Sequence, residues 1–189
     1  MNKTVVTIQQ LSEQLGLTTC IGHEIGGTMK KSEVTLSKAT VKDAAAIHAL
    51  QLEAFMPLLE KYQDYETNPA NETLERLVER MNQEFVNYYI IRNAGNAVGS
   101  IRVKKIEEHH YWLGQLCVVP QSQGQGIAQQ AFARIEEIYS DAKMWGLATV
   151  VQEERNCYLY EKLGYRRTDE IREINDKMTL CFYEKKLVK

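Results

Sequence analysis

No stretch of this 189-residue chain stays apolar for the ~18 residues that a membrane-spanning helix needs; the longest run without Asp, Glu, Lys or Arg, residues 109–133, is interrupted by glutamines and Pro120. The N-terminus has no apolar core followed by a small-residue cleavage site, so no secretory signal is read and a cytoplasmic location is expected. An excess of one charge is missing too. Twenty-three Lys and Arg against 25 Asp and Glu leave a net charge of −2, which gives no broad basic surface and speaks against nucleic acid as a partner. The four cysteines, Cys20, Cys117, Cys157 and Cys181, form no Cys-x-x-Cys pair and have no histidines at zinc-ligand spacing. No metal is expected, and the cysteines read as reduced thiols that pack like small hydrophobes. No repeat or low-complexity tract occurs. With 44% hydrophobic and 25% charged residues, the composition is that of one packed globular domain with a short extension.

The extension is residues 1–31 and the domain residues 32–189. Within the extension, Thr7 to Leu15 suits two helical turns stopped at Gly16, and Gly22, Gly26 and Gly27 argue against a second long helix. From residue 32 onward, strand and helix patterns alternate. Val34 and Leu36 mark a short strand, and Thr40-x-x-Asp43 resembles a capping box. The helix it opens carries Ile47, Leu50 and Ala54 on one face, and Pro57 should fall near its end or kink it. A second helix is expected over 72–87, with Leu74, Leu77, Val78, Met81 and Phe85 in one stripe. Residues 88–92, 97–105 and a strand ending in Leu116-Cys117-Val118-Val119-Pro120 form an antiparallel meander. A helix over 125–141, a strand at 147–151, a helix over 153–163 stopped at Gly164, and strands at 166–174 and 177–185 complete the order β-α-α-β-β-β-α-β-α-β-β. The fold class is α/β (α+β), with helices flanking one mixed, twisted sheet.

The most informative stretch is Gln121-Ser122-Gln123-Gly124-Gln125-Gly126-Ile127-Ala128, where a strand ends, a glycine-containing loop turns and a helix begins. Helix N-termini offer free N–H groups and the positive end of the macrodipole, and glycine lets a backbone approach an anion closely. The arrangement suits a pyrophosphate. Glycines before a helix also make plain tight connections. No Gly-Lys-Ser/Thr follows, and the preceding strand comes from a meander, so neither a P-loop nor a dinucleotide fingerprint is present.

Here the sequence resembles the GCN5-related N-acetyltransferases. Their Gln/Arg-x-x-Gly-x-Gly/Ala signature is matched by Gln123, Gly126 and Ala128, just after Val-x-Pro. Their second motif, on a helix ending in Gly-Phe/Tyr, is matched by Asn156, Leu159, Tyr160, Leu163, Gly164 and Tyr165. The resemblance covers roughly residues 32–185. It implies a mostly antiparallel sheet of six to seven strands with four helices, of the acyl-CoA N-acyltransferase type. It further implies transfer of the acetyl group of acetyl-CoA to a primary amine. The backbone of Gln123, Gly124, Gln125, Gly126, Ile127 and Ala128 would hold the pyrophosphate. That of Leu116, Cys117 and Val118 would pair with the pantetheine arm, Asn156 would bond near it, and Tyr160 would be the general acid. A homodimer through the last strands is suggested by analogy.

Many relatives carry a base on the strand before the phosphate turn. Here the inward positions are Trp112 and Gly114, and neither can be one. Nearby candidates are Glu107, Glu108, His109 and His110, or a water chain. The resemblance implies that the loop with Tyr62, Asp64, Tyr65 and Glu66 walls the acceptor site, and its aromatic faces and carboxylates suit a cationic amine. Two other readings stay open. One is an acetyl-CoA-binding module without catalysis. The other is a DNA-linked regulator with Thr7 to Thr18 as the first helix of a helix-turn-helix unit, although the glycines after it spoil a recognition helix.

Overall fold

The computed structural model describes residues 33–187. The helical turns expected between Thr7 and Leu15 lie outside the described residues.

Seven strands form one sheet: β1 (Val34–Lys38), β2 (Val86–Asn93), β3 (Asn96–Glu107), β4 (His110–Val118), β5 (Met144–Val150), β6 (Arg166–Asn175) and β7 (Met178–Lys186). Their spatial order is β1-β2-β3-β4-β5-β7-β6, and every neighbouring pair is antiparallel except β4 and β5. The β2–β3 turn puts Ala94 at φ 48° and Gly95 at φ 84°. Two positive φ values in a two-residue loop match the right-handed twist of the strands it joins.

Four helices flank the sheet: α1 (Ala44–Tyr62), α2 (Leu74–Met81), α3 (Ile127–Ile138) and α4 (Glu154–Lys162). Before α1, the Asp43 carboxylate accepts from both the backbone N–H (2.8 Å) and the hydroxyl (2.9 Å) of Thr40. Pro57 lies inside α1, which runs on to Tyr62 and stops where Gln63 takes φ 56°. The proline removes one i→i−4 bond, and the continuous helix absorbs that loss. The second helix is shorter than its apolar stripe predicts. It ends at Met81, Phe85 is exposed, and Val86 already pairs with Lys104. Strand pairing wins there over helical periodicity.

β2 separates two apolar layers. Tyr89 and Ile91 face a large core with Ile101, Phe132 and Ile135, which also holds Trp145. Tyr88 and Ile90 face a smaller one with Ile47 of α1 and Leu77 of α2. Burial on both faces accounts for the near-continuous apolar run of β2. Cys117 and Cys181 are buried and Cys157 half-buried, all three as free thiols. Among the described residues no helix is long and apolar enough to cross a membrane.

Candidate active site

The site begins where β4 and β5 part. Their parallel ladder has four pairs, from His110 with Met144 to Leu113 with Leu147, and then stops. β5 continues to Val150 against β7, and β4 continues to Val118 against β3. Between them Gln115 takes φ 47°, and the β3–β4 register slips at this point. Two residues of β4 stand against one of β3, which is a bulge that bends the strand away from its neighbour. The peptide groups of Leu116 to Val118 that face away from β3 are thus left with no strand beside them.

The bulge is held from both sides. The Gln115 amide oxygen accepts from the Tyr88 hydroxyl at 2.6 Å, and its nitrogen donates to Glu72 at 3.1 Å. At Gly99, a Cβ would stand 2.0 Å from the Cys117 carbonyl oxygen, so only glycine lets β3 pass this close.

The notch opens into a groove of about 840 Å³. Leu116, Cys117 and Val118 line one wall. Gln123, Gly124, Gly126, Ile127 and Ala128 line its floor, where α3 begins. Glu153, Asn156 and Tyr160 come from the α4 side, and Phe55 and Leu58 of α1 close the mouth. Gln125 is not in the lining, and its amide instead donates to the Gln121 carbonyl at 3.3 Å. Gly124 and Gly126 have φ of 76° and 74°, which glycine alone adopts without strain. The N-cap of α3 is Gly126, which has no side chain, and no acidic residue stands in the first turn. The orphan amides of this helix therefore point out with the positive end of its dipole. Gln123 braces the turn by donating to the Val118 carbonyl at 2.9 Å. Arg155 and Lys162 add positive charge to the lining.

Tyr160 stands at the inner wall, only 9% exposed, edge-on to Phe132 and close to Tyr165 and Tyr183. Its polar neighbour is Thr149 on the parted end of β5, and burial pushes its pKa up to about 12. The Cys117 thiol turns to Ser100 at 3.3 Å, and burial raises its pKa. A thiol kept protonated in this way is core filling and a poor nucleophile.

The loop after α1 has other employment. The Tyr62 hydroxyl donates to Glu153 at 2.6 Å, and Lys61 bonds the same oxygen at 2.8 Å, so the end of α1 is tied to the start of α4. Burial works against the Glu153 charge, but these two donors outweigh it and hold its pKa below the usual range. Asp64 is buried and accepts from the backbone of Glu66 and Thr67 and from the Thr67 hydroxyl. Tyr65 is exposed. None of Tyr62, Asp64 and Tyr65 lines the groove.

The residues near the β3–β4 turn are distant as well. His109 and Val118 are nine residues apart on an extended strand, about 30 Å, and His109 pairs with Asp141 and Glu108. At the inward positions, Trp112 lies over Gly146, and the space at Gly114 is filled by the Arg102 guanidinium. Sequence reasoning missed Arg102 and Gln115. It also missed Gln51, a fully buried amide with no hydrogen-bond partner, one helical turn before the groove residues Ala54 and Phe55.

A mixed sheet parted beside one parallel pair, with a bare helix N-terminus under the opening, leaves room for an extended ligand with an anionic head. The profile of the acetyltransferase (GNAT) family matches residues 46–165, and the chain belongs to that family. It matches none of the curated proteins. Among solved structures, it is similar to an acetyltransferase from Thermus thermophilus, with a TM-score of 0.64 and 18% identity over 82% of this chain and 97% of that one. A spermidine N-acetyltransferase from Vibrio cholerae, in complex with CoA and spermine, gives 0.64 and 19% over 80% and 94%. The PaiA N-acetyltransferase from Thermoplasma acidophilum, in complex with coenzyme A, gives 0.64 and 15% over 82% and 99%.

Proposed function

We propose that this acetyltransferase moves the acetyl group of acetyl-CoA directly to a primary amine. The observation that carries the reading is the run from the unpaired edge of Leu116–Val118 onto the uncapped start of α3, with Tyr160 in the wall between. The residues fit the co-substrate. Amides at 124–128, helped by Arg155 and Lys162, suit a diphosphate, and the free edge of β4 suits an amide-bearing arm added as a strand. Asn156 offers that arm a further side-chain partner. Bound there, acetyl-CoA supplies an activated acyl group, whose C–S bond breaks as the C–N bond to the amine forms.

The protein's own part is positioning, charge stabilisation and proton handling. The backbone N–H near Val118 is the donor available to the thioester oxygen. Tyr160 faces the leaving sulfur. With its pKa pushed up to about 12 by burial, the phenol is a weaker acid than a free thiol, whose pKa is ~8.5 in water, and it holds its proton at neutral pH. Tyr160 therefore acts chiefly by donating a hydrogen bond, and it keeps its proton through most of the step. An alkylammonium of pKa ~10.4 is only about 0.04% neutral at pH 7, so the acceptor must lose a proton before attack. With Trp112 and Gly114 at the inward positions, that proton leaves through water. The Arg102 charge beside Gly114 favours its loss by repelling a cation. Of the loop residues expected to meet the acceptor, Tyr62 and Asp64 are buried, and Tyr65 and Glu66 are the exposed pair left to meet it.

The test is a melting curve with and without acetyl-CoA, followed by thiol release with a panel of amines. Saturation at ~100 times Kd should add about 2.7 kcal/mol. No stabilisation overturns the co-substrate. Stabilisation without thiol release from any amine favours a binding module that has lost catalysis.

A further inference from the structure

Beside the bulge lies a second pocket, of about 320 Å³, between α2 and the β2–β3 pair. Its charged lining is Arg76, Glu79, Arg80, Arg102 and Lys104, four cations against one carboxylate. Glu72 lies next to it, but its oxygens are already taken by Arg80 and the Gln115 amide. Counting it still leaves the region positive.

Arg102 makes the excess costly. Its Nε is buried with no hydrogen-bond partner, and it forms no ion pair among the described residues. Burial pulls its pKa down, and the Tyr88 hydroxyl and Glu72, although they outweigh the like charge of Arg80, do not make up for that loss of hydration. Buried charges are normally paired, because an isolated one forfeits its hydration. An anion entering this pocket would supply what the fold does not. Guanidinium groups suit a planar or tetrahedral oxyanion, since their N–H donors match two oxygens at once.

Location ties this pocket to the notch. A Cβ at Gly114 would stand 2.6 Å from a guanidinium nitrogen of Arg102, so the absence of a side chain there is what admits the charge. Gly114 adjoins Gln115, and the side chain of Gln115 is held by Tyr88 and Glu72 at the edge of the same pocket. One bulge thus borders both the groove and the cationic pocket.

We infer that this pocket binds a compact oxyanion, a carboxylate or phosphate group, next to the acyl-transfer site. The group comes either from the acceptor, which then carries an acid as well as its amine, or from a free anion that acts on the bulge. The acceptor source rests on the acetyltransfer reading, whereas anion binding itself does not, so the two fail separately.

Inorganic phosphate is the first probe, followed by calorimetry and thermal shift on the full chain. Wild type should bind it saturably, and Lys104→Gln and Arg102→Gln should each weaken binding by about tenfold or more. Lys104 is exposed, so its variant tests the site even if Arg102→Gln fails to fold. Lys162→Gln, in the large groove, is the control and should leave this binding in place. No saturable binding below about 10 mM, or equal loss in the Lys162 control, overturns the site. The second arm compares matched amines with and without an acid group. A KM about tenfold lower for the acid-bearing amine, lost in Lys104→Gln, identifies the acceptor as the source. Phosphate altering kcat/KM for a neutral amine, with no such preference, identifies the free anion.

Discussion

The two ends of β4 share a strand and little else. Residues 110–113 are paired on both sides and lie beside a cluster of rings in which Tyr111, Tyr139 and Trp145 meet at 4.8 to 5.8 Å between centroids. The Tyr111 hydroxyl donates to Asp141, and the hydroxyls of Tyr89 and Tyr139 bond each other. Residues 114–118 are paired on one side only and contain the left-handed Gln115, and Leu116 to Val118 line a groove. The closed end is built from side chains, and the open end from main chain. Substitutions at the first should therefore be read in stability, and at the second in ligand affinity and rate.

The largest effect is expected at the closed end. Trp145 is fully buried, and Trp145→Ala should cost about 3–5 kcal/mol in denaturant unfolding. Acetyl-CoA affinity measured on the protein that remains folded should stay near wild type. A stable variant with lost affinity would erase the division. At the open end, Gly126→Val forces a β-branched residue to φ 74° in the phosphate turn. It should weaken acetyl-CoA binding by roughly tenfold to a hundredfold in calorimetry, with a much smaller change in the melting of the free protein.

Next comes Tyr160→Phe, expected to lower kcat by about tenfold with the KM for acetyl-CoA nearly unchanged, because one hydrogen bond to the leaving group is lost. An unaltered kcat removes Tyr160 from the chemistry. The smallest effect is one of pH. A tyrosine with its pKa raised to about 12 stays protonated through the range in which an ordinary phenol, near ~10, would lose its proton. The profile of kcat/KM should rise as the acceptor amine deprotonates and show no descending limb near pH 10. A fall centred there would assign Tyr160 an ordinary pKa and restore full proton transfer.

Much of this was legible in the residues, for reasons that differ along the chain. Strands and helices in the core announced themselves through periodicity, and the anion turn through glycines whose positive φ few other residues tolerate. Helix α2 is shorter than its stripe predicts because Phe85 continues the periodicity, and nothing local shows that Val86 belongs to β3's ladder. Tyr62 and Asp64 looked available for an acceptor because their partners, Glu153 and Thr67, are fixed by folding and not by spacing. The bulge left no mark, since glutamine is an ordinary strand residue until a register slip turns it over. Arg102 was equally silent. Its position depends on Gly114, twelve residues away in sequence and opposite it in the sheet.

The four-rung parallel ladder is also the whole hydrogen-bonded seam between the first four strands and the last three. Tension applied across the sheet would load that seam from the notch inward, as a tear runs from a cut in cloth. A molecule laid along the cut adds rungs ahead of the first one that must break. Occupancy of the groove should thus appear as mechanical toughness along this one direction, with no such gain when the β2–β3 hairpin is pulled apart.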